Sequence, residues 1–224
     1  MMLAPVITID GPSGSGKGTI SQRLAEHLGW YHLDSGALYR LLAYAALRES
    51  LDLEDSERLV ALAARLQESY ELPKTDTPAI LLDGRDVGAE LRTESCADAA
   101  SKVAALPAVR QALLQWQRHY RQSPGLVADG RDMGTVVFPD ANLKVYLTAR
   151  PGVRAERRYN QLKNKGISVE LEALIQDVEQ RDARDASRKA SPLKPASDAL
   201  IVDNSDLDAA ATFEMVLQAV RKIL

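Results

Sequence analysis

Gly11-Pro12-Ser13-Gly14-Ser15-Gly16-Lys17-Gly18-Thr19 reads G-x-x-x-x-G-K followed by Gly-Thr. Glycines at this spacing let the backbone curl so that successive N–H groups point inward at phosphate oxygens. A helix starting directly behind such a loop adds the partial positive charge of its N-terminus. Lys17 can then reach the β- and γ-phosphates of a nucleoside triphosphate, and Thr19 can donate to a phosphate. Gly18 stands where a Ser or Thr usually follows the lysine and holds magnesium. Magnesium bound with ATP is therefore expected to be water-mediated, near Thr19 and Asp129, with no direct protein ligand. The bland alternative, a Gly-rich turn with a surface lysine, fails on context, because a strand precedes the loop and a helix follows it.

Three further clusters suit the receiving side of a phosphoryl transfer. Leu33-Asp34-Ser35-Gly36 leads to Arg40, and Asp34 stands where ligands of doubly wound sheets gather. Asp34 and Ser35 also suit capping of the next helix, and Arg40 suits an acceptor phosphate. Asp129-Gly130-Arg131-Asp132 closes an apolar strand. There Asp129 can order magnesium waters, and Arg131 offers a planar donor fork for phosphate. The same tetrapeptide recurs at 83–86, where it reads as a hairpin turn. Arg150, Arg154, Arg157 and Arg158 share one helical face, as do Arg181, Arg184, Asp185 and Arg188. A solvated charged surface is the ordinary reading of such runs. Two of them flanking Gly166 favour a lid whose arginines, Arg154, Arg157 and Arg158, meet the transferred group on closure.

These groups need a scaffold that gathers them. Val6–Asp10 is a β-branched apolar run stopped by Gly-Pro, hence a buried strand. Ile20, Leu24 and Leu28 give the following helix its buried face, and Gly29 ends it. Further strands are expected at 30–33, 126–129, 143–147 and 200–202, with helices at 39–50, 57–69, 94–122 (interrupted near Pro107), 151–163, 169–188 and 206–223. The pattern shifts around Pro73 and Pro78, and 79–87 reads as a hairpin turning at Asp83-Gly84. Alternation of strands and helices predicts an α/β fold with a parallel sheet covered on both faces. The expected division is core 1–36, monophosphate-binding lobe 37–122, core 123–149, lid with flanking helices 150–190 and core 191–224.

Composition narrows the class. The 224 residues carry 46% apolar and 26% charged residues, which suits a soluble globular chain. Net charge is -3, but residues 150–194 hold 11 Lys/Arg against 7 Asp/Glu, leaving +4 there and -7 elsewhere. That pattern suits a small polyanion and argues against a nucleic-acid polymer as partner. A single cysteine, Cys96, excludes an intramolecular disulfide, and no window has the roughly 18 apolar residues of a membrane span. A soluble, cytoplasmic monomer without membrane partners is expected.

The chain resembles the bacterial cytidylate kinases, a family of P-loop nucleoside monophosphate kinases, over nearly its whole length. The resemblance rests on Ile9-Asp10-Gly11-Pro12-Ser13-Gly14 with Gly16-Lys17-Gly18-Thr19, Leu33-Asp34-Ser35-Gly36 with Tyr39-Arg40, Ala128 through Pro139, and Gln180-Arg181-Asp182 with Arg184-Asp185 and Arg188. It implies a P-loop kinase core with an inserted monophosphate-binding lobe and a short helical lid, moving the γ-phosphoryl group of ATP to CMP or dCMP. It implies Ser101, Arg110 and Asp132 as cytosine readers, Arg181 and Asp185 as ribose contacts, and Arg40, Arg131 and Arg188 as the acceptor-phosphate clamp, with Ser35 on the CMP side. His27, His32 and His119 need no catalytic role. The alternatives are a P-loop kinase for UMP or another small phosphorylated acceptor, and a nucleotide-sensing module without catalysis.

Overall fold

A computed structural model describes residues 3–69, 80–164, 166, 168–188 and 190–223. Pro73, Pro78 and Ala79, where the sequence pattern shifts, lie outside the described residues. Five parallel strands form the main sheet: β1 (Val6–Asp10), β2 (Tyr31–Asp34), β5 (Leu126–Gly130), β6 (Leu143–Thr148) and β7 (Leu200–Asp203). Their order is β2-β5-β1-β6-β7. β1 and β5 are fully buried, as strands covered by helices on both faces must be. β3 (Leu81–Leu82) and β4 (Arg85–Asp86) form a separate antiparallel pair turning at Asp83-Gly84, so the second Asp-Gly-Arg-Asp is the hairpin its sequence suggests.

Two apolar layers sandwich the sheet. On one face α1 (Lys17–Leu28) and α8 (Ala209–Val220) bury Ile20, Leu24, Phe213 and Val216 against Ile7, Ile9 and Val145. On the other, α2 (Ser35–Arg48), α3 (Ser56–Ser69), α4 (Glu94–Val103) and α5 (Pro107–His119) share one continuous cluster with Val6, Leu33, Leu126 and Ala128 of the sheet. α6 (Pro151–Asn164) and α7 (Leu171–Ala186) pair through a small core of their own, Ala155, Leu162 and Leu174. Gly166, at φ 73, lies between them.

Local rules account for the boundaries. Gly29 ends α1 in a left-handed conformation while the Trp30 N–H bonds Ala25 O at 2.9 Å. Pro107 starts α5, where its missing N–H costs nothing. α2 begins at Ser35 rather than near Tyr39, because Asp34 caps it by accepting from the Ala37 N–H at 3.1 Å. A feature absent from the periodicity follows β5: Met133–Val137 forms one π-helical turn. Its ladder begins at Asp132 O, which accepts from the N–H groups of Val136 and Val137.

Candidate active site

The C-terminal ends of β1, β2 and β5 open into a cavity of about 790 Å³, walled by α2, α4, α5 and the α6–α7 hairpin. This is where parallel α/β sheets collect ligands. The phosphate loop forms one end. Gly11 passes so close to β6 that an added Cβ would lie 2.0 Å from Leu147 O. Gly16 caps α1 at φ 88, a left-handed conformation that favours glycine. Ser13, Gly14, Gly16, Lys17, Gly18 and Thr19 line the cavity. Gly11, Pro12 and Ser15 shape the loop from behind: Lys17 Nζ donates to Pro12 O at 3.0 Å, and Ser15 O accepts from Asn204 Nδ2 at 3.0 Å. Burial pulls the Lys17 ammonium down to about 7, the charge of Arg131 adds to the fall, and Asp129 and Asp34 oppose it.

The loop after β5 forms the middle of the site. Asp129 Oδ2 accepts from Ser21 Oγ at 2.7 Å and from His32 Nε2 at 3.0 Å. Burial opposes the charge on Asp129, but the His32 hydrogen bond and the charges of His32 and Lys17 outweigh it, so its carboxyl lies below the usual range. Burial likewise works against a charged His32, yet the Asp129 hydrogen bond raises its affinity for a proton. Arg131 Nε donates to Asp185 Oδ2 at 2.8 Å, and the Arg188 guanidinium lies 2.5 Å from Oδ1 of the same carboxylate. Asp185 is 1% exposed, and although burial favours its neutral form, Arg131 and Arg188 hold its pKa low. Arg181 also faces the cavity, pulled down to about 10 by burial and by the nearby Arg131.

The far end of the cavity is built for a polar ligand. Arg110 Nη2 pairs with Asp132, both nearly out of water, over the Tyr39 ring at 5.5 Å. Among the described residues, Ser101 Oγ and the Nε atoms of Arg110, Arg181 and Arg188 are buried with no hydrogen-bond partner. Four such atoms on residues that line one cavity are costly in a folded chain unless a ligand or water meets them. Ser35 lines the cavity but donates to Gln117 Oε1 at 2.8 Å. Arg40, also lining it, lies 3.6 Å from Asp34.

The two charged faces separate on folding. Arg154 is 3% exposed and donates to Ala149 O, Ser13 O and Asp182, which straps α6 and α7 to the phosphate loop. Arg157 donates to both the side chain and the carbonyl of Asn204, and Arg158 pairs with Glu94 on α4. All three line the cavity. Arg150, placed with them by spacing, precedes α6 and pairs with exposed Asp206 instead. Arg184 turns out to Asp98, while Arg181, Asp185 and Arg188 face in.

Several contributors were not assigned from sequence. Asn204 joins the phosphate loop to Arg157, and His32 holds Asp129. Asp10, capped by burial, accepts from the backbone N–H groups of Met133 and Gly134 at 2.8 Å each. Burial pushes its carboxyl up to about 7 against the pull of those two donors and Lys17. One signal was available: Asp10 is the lone carboxylate of an otherwise apolar or β-branched strand.

Comparison with known proteins agrees with this geometry. A family model described as cytidylate kinase matches residues 7–222. A cytidylate kinase of Shewanella sp. (strain MR-4) is 53% identical over 222 residues, covering 99% of this chain and 96% of that protein. One from Shewanella baltica (strain OS155) is 56% identical over 203 residues, covering 90% and 88%. A crystal structure of an uncharacterized protein from Eubacterium ventriosum superposes with a TM-score of 0.50 at 12% identity, covering 97% and 98%, a likeness of fold.

Proposed function

This chain belongs to the cytidylate kinase family, and we propose that its cavity moves the γ-phosphoryl group of ATP to CMP, and to dCMP, giving ADP and the diphosphate. One observation carries the reading. A single cavity runs from the phosphate loop, past Arg131, Arg181 and Arg188, to the Arg110–Asp132 pair and the unpartnered Ser101 Oγ.

In this reading the loop amides and Lys17 hold the ATP phosphates, with Thr19 donating to one of them. Arg40, Arg131 and Arg188 clamp the acceptor phosphate. Asp132 accepts from the cytosine amino group while Arg110 and Ser101 meet its ring acceptors, and Arg181 and Asp185 hold the ribose. Uracil would set a carbonyl against the Asp132 carboxylate, leaving a buried charge unpaired. Negative charge spreads over the moving group as it passes between phosphates. Arg131 and Lys17 line that path, and Arg154, Arg157 and Arg158 join them once nucleotide displaces their present partners. No general base is needed, because positioning and charge compensation supply the rate.

In this reading magnesium, bound with ATP, meets the protein through water. Among the described residues both side-chain hydrogen bonds to Asp129 fall on Oδ2, which leaves Oδ1 for water. Asp129 and Thr19 would therefore hold the waters of a magnesium ion that neutralises phosphate charge. No described helix is long and apolar enough to cross a membrane. ATP and CMP are cytoplasmic metabolites, and we place the enzyme there.

An acceptor panel with ATP and magnesium tests the reading through coupled ADP release. CMP should be turned over far faster than AMP, GMP, UMP or shikimate. A preference for AMP would overturn the assignment of the base-reading residues.

A further inference from the structure

Asp10 is the last residue of β1, and Gly11 of the phosphate loop follows it directly. In the sheet Asp10 lies opposite Gly130. Beyond the sheet its two carboxylate oxygens each take one N–H, Oδ1 from Met133 and Oδ2 from Gly134. Residues 131 and 132 therefore form an arch fixed to Asp10 at both feet. Those N–H groups open the π-helical turn 133–137, where a helix's first donors have no partner within the helix, and Asp10 is only 6% exposed. Gly134 is closed in from its other side, where an added Cβ would lie 2.8 Å from Thr8 Oγ1 and 3.1 Å from Lys144 Cγ. The arch carries Arg131 and Asp132, which reach Asp185 and Arg110.

We infer that Asp10 is a positioning residue that sets Arg131 and Asp132 at a fixed distance from the phosphate loop. It touches neither nucleotide. It makes one short piece of backbone serve both ends of the reaction, because the strand carrying the donor loop also caps the turn carrying the acceptor's readers. A small displacement of the arch moves phosphate clamp and base reader together while leaving the phosphate loop in place. The identity of the acceptor in this inference rests on the function proposed above.

Asp10→Asn tests it. Asparagine has the same shape but turns one acceptor into an NH2 group facing a backbone N–H, so the arch must shift. At pH 8, where wild-type Asp10 is ionised, kcat/KM for CMP should fall by about tenfold or more, since misplacements near 1 Å can cost ~100-fold. The CMP-to-UMP preference should shrink with it, and affinity for a non-hydrolysable ATP analogue, measured by calorimetry without acceptor, should stay within about twofold of wild type. Adding Asp132→Asn should produce little further loss of preference, because both changes act through one side chain.

The inference is overturned if Asp10→Asn keeps wild-type CMP turnover and preference, if ATP-analogue affinity falls in step with turnover, or if the two substitutions multiply. Gly134→Ala presses on the same turn from the opposite side and must show the same split if Asp10→Asn does not accumulate as folded protein. A wild-type enzyme that favours another acceptor would overturn the functional reading instead, and the split between turnover and ATP affinity is then read on that acceptor.

Discussion

Asp132→Asn separates base recognition from phosphate recognition more directly than any other single change. Asp132 is 3% exposed, and its partner Arg110 has a side chain only 9% exposed, so the pair sits out of water at the base end of the cavity. A hydrogen bond to a charged group contributes about 1.5–3 kcal/mol, which is roughly 10- to 150-fold in a rate or binding constant. Wild-type Asp132 can only accept, which suits the cytosine amino group and opposes the uracil carbonyl. Asparagine can turn its NH2 to uracil. The ratio of kcat/KM for CMP to that for UMP should therefore fall by roughly 10- to 150-fold, with part of the change appearing as improved UMP turnover. Leaving Arg110 without its counter-charge also weakens the fold. Tyr39 beneath the guanidinium and nearby Asp185 limit that loss, and a thermal melt run in parallel measures it. Coupled ADP-release kinetics with both acceptors give the ratio. Equal losses for CMP and UMP would refute the reasoning, because they would mean that Asp132 only holds Arg110.

Two further outcomes follow from other parts of the molecule. Lys17 lies at about 7 without nucleotide, and anionic phosphates must raise it, so ATP binding should take up close to one proton at pH 8 and only about a tenth as much at pH 6 through this group. Calorimetry in buffers of different ionisation enthalpy measures the uptake, and Lys17→Arg, which stays charged throughout, should abolish the difference between the two pH values; a difference that survives would place the proton elsewhere. Gly125 precedes β5 at the end remote from Asp129, and a Cβ there would lie 2.3 Å from the indole of Trp30, a buried side chain. Gly125→Ala should cost about 1–3 kcal/mol and lower Tm by roughly 2–12 °C, with KM for CMP unchanged; an undiminished Tm would show that Trp30 relocates freely.

What could be read from the chain alone was whatever depends on near neighbours. The phosphate loop is contiguous, and its glycines, its lysine and the flanking strand and helix all lie within a span of 23 residues, 6–28. Strand Val6–Asp10, the Gly29 stop and the Pro107 start were legible because β-branching, left-handed glycine and the missing proline N–H act locally. Family resemblance added the acceptor-side residues by matching motifs, and the fold places Ser101, Arg110, Asp132, Arg181, Asp185 and Arg188 around one cavity. Helical spacing misled where a residue lay just outside its helix, as with Arg150, or where an acidic neighbour drew it outward, as with Arg184.

Tertiary structure alone decided who partners whom. Asp10 and Gly134 are 124 positions apart, Arg157 and Asn204 47 apart, and His32 and Asp129 97 apart. No local periodicity records such pairs, because they exist only once the order β2-β5-β1-β6-β7 brings the strand ends together. A charged side chain in the sequence announces that it must find a counter-charge, a hydrogen bond or water. Which of these it finds is settled by burial, which removes water and leaves only the groups that the fold has carried within reach.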